Sequence, residues 1–332
     1  MISFILPVKN RSKNLNKILL NSRKVFKNLK YEIIVIDASD KKIADKNKKI
    51  VKKYGNVRYF IQKSTRITRG CFEILKYLKY DFVTFLYDDD IMGPYVFEIY
   101  KNFITKKIFS MGTGIVLEQE NSIFKFKKIK KIEIDKNVLL SNYFGLPLSK
   151  YDKRFTNVLS SPVSPICTCF KKQFIFEWEK KIKKFVKNNK FRNHYLLELD
   201  IGPDLITYLT NIHNQKKKVH YYLPPSVRFS SHQDSISIIY GKNNLRIGYW
   251  LARISFLENE KIYNQKMLNR IYTYLLFIGI CLLLINIFNN FNRNNIFLEL
   301  LALKKIKNYK FSLSYFFKIF KILSLGRQEK KL

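Results

Sequence analysis

The chain is short of acid, of cysteine, of histidine and of the residues that break regular structure. Its 332 residues hold 25 Asp and Glu against 62 Lys and Arg, with four Cys, four His, 8 Pro and 11 Gly. So little Gly and Pro beside 47% hydrophobic residues excludes a disordered, collagenous or low-complexity protein and leaves apolar material for a sizeable core. Four cysteines (Cys71, Cys167, Cys169 and Cys281) are too sparse for a disulfide scaffold. The alternating pair Cys167 and Cys169 reads as one face of a strand, and the expectation is a reduced, cytosolic core. There is no zinc-finger spacing, no RNP-like aromatic run and no recognition-helix pattern, which counts against dedicated nucleic-acid binding. The apolar start, Ile2 to Val8, is too short for a signal peptide and has no basic run before it. No internal repeat and no linker rich in Pro, Gly or Ser divides the chain.

What is abundant is positive charge, at a net +37. Lys outweighs Arg, and Asn and Ile are frequent as well, the usage an AT-rich genome produces through its codons. Part of the charge is therefore compositional drift. The remainder points to an anionic partner, either a phospholipid surface or a phosphate-bearing substrate.

The first hundred residues alternate between strand and helix patterns. Near-continuous apolar runs at Ile2–Val8, Tyr31–Asp37, Val57–Gln62 and Asp81–Tyr87 read as strands buried on both faces. Helical spacing follows the first at Leu15, Ile18, Leu19, Ser22, Val25 and Phe26, with further helices expected over 41–54 and 70–78. This alternation predicts an α/β domain with a mostly parallel sheet flanked by helices. Beyond it, strands are expected near 114–117 and 165–170 and helices at 173–186 and 204–210, then long helical stretches after Gly241.

Ligands of open α/β sheets bind past the carboxyl ends of the strands. The residues standing there are Pro7, Lys9, Asn10 and Arg11; Asp37, Ser39 and Asp40; Lys63, Ser64 and Arg66; and Asp88, Asp89 and Asp90. Three adjacent carboxylates repel one another, so placing them where a buried strand ends costs stability unless a cation shares the site. In isolation such a triplet is most often a solvated acidic turn. At the end of a buried strand, in a chain poor in acids, it reads as a site. Hard divalent ions such as Mg²⁺ or Mn²⁺ take oxygen ligands of this kind and share them with substrate phosphates.

Three segments together, ISFILPVKNR (2–11), EIIVID (32–37) and FLYDDDIMGP (85–94), resemble the leading motifs of family-2 glycosyltransferases. The resemblance implies the GT-A fold and a metal-dependent, inverting transfer from a nucleotide-sugar donor. Carried over position by position, it implies that Pro7, Asn10 and Asp37 hold the base and ribose. Asp88 and Asp89 would meet the ribose and diphosphate, and Asp90 the metal, Mn²⁺ or Mg²⁺. Tyr87 stands where the family usually opens this motif with an acid, and no Arg-Asn pair precedes it; Arg66 or Arg69 is the substitute. Asp204, in Gly202-Pro203-Asp204-Leu205, matches the segment that carries the catalytic carboxylate, with Asp200 and Glu198 as alternatives. An Asp beside Pro at a helix start is equally an ordinary first-turn residue. The segment Arg228 to Ser237 resembles the one that closes over the diphosphate, which implies that Arg228 neutralises it and that His232 ligates the metal or donates to phosphate.

These readings divide the chain into a GT-A domain, 1–240, and a helical, basic and apolar region, 241–332. The first comprises a nucleotide-sugar half (1–110) and an acceptor half (111–240). Ile271–Phe288 is apolar over about the minimum spanning length, and peripheral attachment to an anionic membrane on the cytoplasmic face is expected in preference to spanning. The function expected is sugar transfer to a glycan or lipid-linked acceptor in cell-surface polysaccharide biosynthesis. Two alternatives remain: a sugar-nucleotide nucleotidyltransferase, which the absence of Gly from Pro7-Val8-Lys9-Asn10 opposes, and a non-catalytic basic protein binding anionic membrane or nucleic acid.

Overall fold

The structure, a computed structural model, describes residues 1–64, 66–92, 95–106, 110–117, 130–144, 168–215, 218–230, 239–261, 264–305 and 310–317. The apolar runs form β1 (Ile2–Val8), β2 (Tyr31–Asp37), β3 (Val57–Ile61) and β4 (Phe82–Phe85). They pair in parallel in the order β3-β2-β1-β4, and β8 (Phe170–Lys171) closes the edge antiparallel to β4. Helices α1 (Ser12–Val25), α2 (Lys41–Val51) and α3 (Ile67–Ile74) follow the first three strands. On α1 the buried residues Leu15, Ile18, Leu19 and Ser22 recur at helical spacing and face the sheet. The order reverses between β1 and β4, so the crevice of this sheet opens past their carboxyl ends.

Pro7 fits that position for a stereochemical reason. Leu86 N donates to Ile5 O, so Ile5 and Pro7 point their main-chain groups toward β4, whose pairing with β1 stops at Phe85. A residue without an N–H therefore leaves no donor unpaired where the two strands part.

The second half begins with β5 (Ile91–Met92), α4 (Tyr95–Lys106), β6 (Ser110–Leu117), β7 (Lys130–Asp135) and α5 (Lys136–Tyr143). After β8 come α6 (Lys172–Val186), α7 (Lys190–Asn193) with a π-helical turn at His194–Glu198, and α8 (Pro203–His213). The long β9 (Lys218–Ser230) then pairs with β5, β6 and β7 to make a second sheet. Its strand character is masked in sequence by Pro224 and Pro225. They fall where the β6–β9 register shifts between Gly112 and Gly114, a bulge that tolerates missing donors. The expected strand at 165–170 is described only from Thr168 onward, and Cys167 lies outside the described residues. Cys169 is buried beside β8. The helix expected at 70–78 starts earlier, at Ile67, and tightens into a 3-10 turn over Leu75–Tyr77.

Helices α9 (Gly241–Asn259), α10 (Gln265–Ile285) and α11 (Asn290–Lys304) complete the chain's described architecture and share its hydrophobic core. Among the described residues α10 is the one helix long and apolar enough to cross a membrane. It nevertheless buries Ile271, Leu275, Gly279 and Leu282, and its Leu275 carbonyl accepts from Trp250 Nε1 at 2.8 Å. A Cβ at Gly279 would overlap the Trp250 ring and Leu300, so glycine sets how closely α9, α10 and α11 approach.

These helices are also tied down by charge. Buried Arg192 on α7 reaches Glu299 of α11 through Nε at 2.9 Å and Nη2 at 2.5 Å, and Glu258 of α9 through Nη1 at 2.7 Å. Removing one member of a buried ion pair strands its partner. Arg192→Ala is therefore expected to cost about 3–5 kcal/mol in a urea titration; a loss below about 1 kcal/mol would show that the network does not hold the helices.

Candidate active site

The site is built where the loops after β1 and β4 meet. Asn10 takes a left-handed conformation (φ 56°), which Asn tolerates better than most residues because its side chain bonds locally. Its main-chain N–H donates to Ser39 Oγ at 2.7 Å, and its side-chain Nδ2 donates to Asp40 Oδ2 at 3.1 Å. Asp40 N returns a bond to Asn10 Oδ1 at 3.0 Å, so the first two loops are clasped.

Beneath the clasp Asp37 is buried and accepts from Ser39 N (2.8 Å), Asn47 Nδ2 (2.8 Å) and Tyr59 OH (2.7 Å). These bonds make Asp37 shape the turn that carries Ser39 and Asp40.

Arg11, next along the chain, crosses to the acidic triplet: Nη1 lies 3.3 Å from Asp88 Oδ1 and 2.9 Å from Asp89 Oδ2. Asp88 and Asp90 are buried, and Asp88 Oδ2 has no hydrogen-bond partner among the described residues. Burial and the neighbouring Asp89 push the Asp88 carboxyl up to about 7, against the pull of Arg11. Asp90 is held well above its ordinary value by burial and by Asp89 and Asp88. An orphaned carboxylate oxygen beside buried, mutually repelling acids fits a cation. No group of three His, Cys, Asp or Glu among the described residues could hold a metal by itself, so an ion here would need oxygens from a ligand to complete its shell.

On the far side stands Asp204. Gly202 caps α8 in the left-handed region (φ 105°), and a Cβ there would press on Gly248 O and the Ala252 Cβ, each 3.0 Å away. A Cβ at Gly248 would overlap Ile201. Two glycines thus let α9 approach the start of α8, which brings Tyr249 OH to 3.1 Å from Asp204 Oδ2. Burial raises the Asp204 carboxyl above its ordinary value, opposed by the N–H of Leu205, by Tyr249 and by the nearby Arg253 charge. Tyr87 is near acids of both groups. Its phenol is held well above its ordinary value by burial and then by the charges of Asp204, Asp90 and Asp89.

The remaining candidates divide. The backbone of Arg228 pairs with Ile91, placing β9 directly beside the triplet. His232 lies outside the described residues. Arg66 Nη1 donates to Tyr240 OH at 2.9 Å. Asp200 accepts from Ile67 N (2.7 Å) and Thr68 N (3.1 Å), capping α3 from 133 residues away, so it is structural. Glu198 bonds His194 and Asn193 within its own turn. Sequence reasoning missed Tyr249, for which no motif gave a signal. Arg11 was read as present at the strand end without its partners.

A parallel α/β half with an acidic, arginine-latched switch point, followed by a helical C-terminal region, is the GT-A arrangement that the resemblance to glycosyltransferases implies. The sequence profile of glycosyl transferase family 2 matches residues 3–182, and the chain belongs to that family. No curated protein matches it in sequence. Among solved structures it is similar to residues 1–349 of TarS from S. aureus in complex with UDP-GlcNAc. There the TM-score is 0.54 at 14% identity, over 84% of this chain and 72% of that one. The same protein with UDP gives 0.51 at 16% identity, over 83% and 70%.

The raised carboxyls carry a sign. A carboxyl whose value rises on folding favours the native state when protonated, so its contribution is lost as pH climbs from about 4 toward 7. Asp90→Asn is thus expected to raise the Tm by a few degrees at about pH 8 without metal and to flatten this pH dependence. An unchanged Tm and slope in scanning calorimetry would show that the triplet is not strained.

Proposed function

We propose that the protein transfers a sugar, with inversion, from a nucleotide-sugar donor to a hydroxyl of a glycan or lipid-linked acceptor in cell-surface polysaccharide biosynthesis. The observation that carries this reading is the nearness of Asp204, with Tyr249 as its side-chain donor, to Tyr87, which directly precedes the acidic triplet. A carboxylate raised by burial is suited to accept the proton of an attacking hydroxyl near neutral pH. As that oxygen bonds to the anomeric carbon, the bond to the diphosphate breaks and its electron pair leaves with the phosphate oxygen. Arg11, anchored by Asp88 and Asp89, lies where it can meet the charge that develops there. Asn10, Ser39 and Asp40 form the loop wall for the ribose and base, and Pro7 leaves the gap between β1 and β4 clear.

Asp90, with Asp88 and with His232 as the resemblance implies, would hold Mn²⁺ or Mg²⁺, which supplies positive charge to the leaving diphosphate. The likeness to a structure holding UDP-GlcNAc makes uridine diphosphate sugars the first donors to try.

Among nucleoside diphosphates, one is expected to raise the Tm in a manner that requires Mn²⁺, because a ligand of the native state alone stabilises it by mass action; no shift with any nucleotide would contradict the reading. With an active donor pair, Asp204→Asn is expected to lower kcat by about 10²–10⁴ while leaving that thermal shift intact. Tyr249→Phe removes a donor that favours the Asp204 carboxylate, so the acidic limb of its kcat profile moves to higher pH. Unaltered transfer by Asp204→Asn would sink its assignment as base.

A further inference from the structure

The strand ends opposite the crevice hold a second concavity. A cavity of about 450 Å³ lies where α1 and α2 run out and β2 and β3 begin, with Arg23, Lys27, Lys53, Tyr31 and Tyr54 in its wall. The seven residues of β2 set it roughly 20 Å from Asp37, so it is no part of the site described above. Its volume is that of a small-ligand site.

The wall is fixed by the fold. Tyr31 opens β2, and its ring packs edge-on against Phe4 and Phe26 at 5.8 and 5.7 Å. The chain leaves α1 through a turn in which Leu29 N donates to Phe26 O at 2.8 Å. It leaves α2 through another, with Tyr54 N donating to Val51 O at 2.9 Å, and Tyr54 OH donates to Asn16 Oδ1 of α1 at 3.3 Å. At Gly55 a Cβ would meet nothing within 4 Å, so the rim is open there.

Charge decides what such a cavity takes. No Asp or Glu lines it, and residues 23–31 and 46–56 together carry nine Lys and Arg and no acid. Glu32, next to Tyr31, is buried and committed to Arg58 and Ser3, each at 2.6 Å. The side chains of Arg23, Lys27 and Lys53 make no hydrogen bond or ion pair among the described residues. The helix dipole accounts for Arg23, in the last turn of α1. Lys27 and Lys53 stand past the capping residues Phe26 and Lys52, and neither ammonium bonds a terminal carbonyl. The charge of Arg23 reaches Tyr54, where it opposes the burial that raises the phenol. Like charges converging on one cavity repel unless an anion sits among them. A guanidinium fork beside two ammonium groups suits the several oxygens and double charge of a phosphate better than a single carboxylate.

We propose that Arg23, Lys27 and Lys53 form a phosphate-binding site, walled by Tyr31 and Tyr54, for a phosphate ester carried by a small soluble molecule or by a lipid headgroup. The inference stands apart from the sugar-transfer reading, because binding is measured away from the crevice and without substrate.

The test follows the amide NMR signals of Gly55 and Asn56, in the cavity wall, as inorganic pyrophosphate is added to the full chain. Both signals are expected to move saturably, which separates this site from binding at Arg11. Lys27→Gln/Lys53→Gln is expected to weaken that binding by at least about tenfold through the loss of two charge-assisted contacts. Lys180→Gln/Lys184→Gln on α6 removes the same charge elsewhere and is expected to leave it unchanged. All four lysines are exposed, so an unchanged Tm is expected of both variants. The same three chains are sedimented with phosphatidylcholine vesicles containing phosphatidic acid. Pyrophosphate binding lost in the first variant alone supports the site with a soluble source, and vesicle binding lost in that variant alone supports it with a headgroup source. If neither pyrophosphate nor vesicle binding distinguishes the two variants, the proposal is overturned.

Discussion

Buried carboxylates at the end of β4, opposed by one guanidinium from the loop after β1, are the constraint on which the N-terminal half is organised. Neither Asp88 nor Asp90 gains from its position in the fold, since burial and mutual repulsion favour their neutral forms. The surrounding structure holds them there all the same. Leu86 N bonds Ile5 O and the β5–β9 pairing secures the chain on the other side of the triplet. Arg11 is delivered by a turn that only a few residues besides Asn10 would adopt. On the reading proposed above, such an arrangement is the ordinary cost of a site whose charges await a ligand.

The second half meets the same constraint at Tyr87. A fourth acid at that position would face Asp204, Asp90 and Asp89, whereas a phenol adds no charge. Asp204 in turn depends on a helix outside the segment matched by the family profile. The close approach at Gly202 and Gly248 brings Tyr249 to it, and Arg253 of the same helix is tied to the Tyr143 carbonyl at 2.9 Å. The C-terminal helices thus hold the surroundings of Asp204, packed on the segment that the family profile matches.

Much of the fold was legible because parallel strands covered on both faces appear as continuous apolar runs, and β1 and β2 match those runs residue for residue. β9 was not legible, since Pro224 and Pro225 contradict strand propensity and only the bulge opposite accommodates them. The triplet, Asn10 and Asp204 were legible as candidates because each stands near the end of an element. What those positions do could not be read so easily. Asp37 and Asp200 carry the same carboxylate as their neighbours, and only the fold shows the donors each accepts from, Asn47 and Tyr59 or the start of α3. Tyr249 lies 45 residues from Asp204, a distance over which no local pattern operates.

The most direct test of this account is a crystal structure of the protein with uridine diphosphate and Mn²⁺. The account predicts the ion on Asp90 and the diphosphate between it and Arg11, at the crevice where β1 and β4 part. A nucleotide bound elsewhere, or an ion that leaves Asp88 and Asp90 uncoordinated, would contradict it.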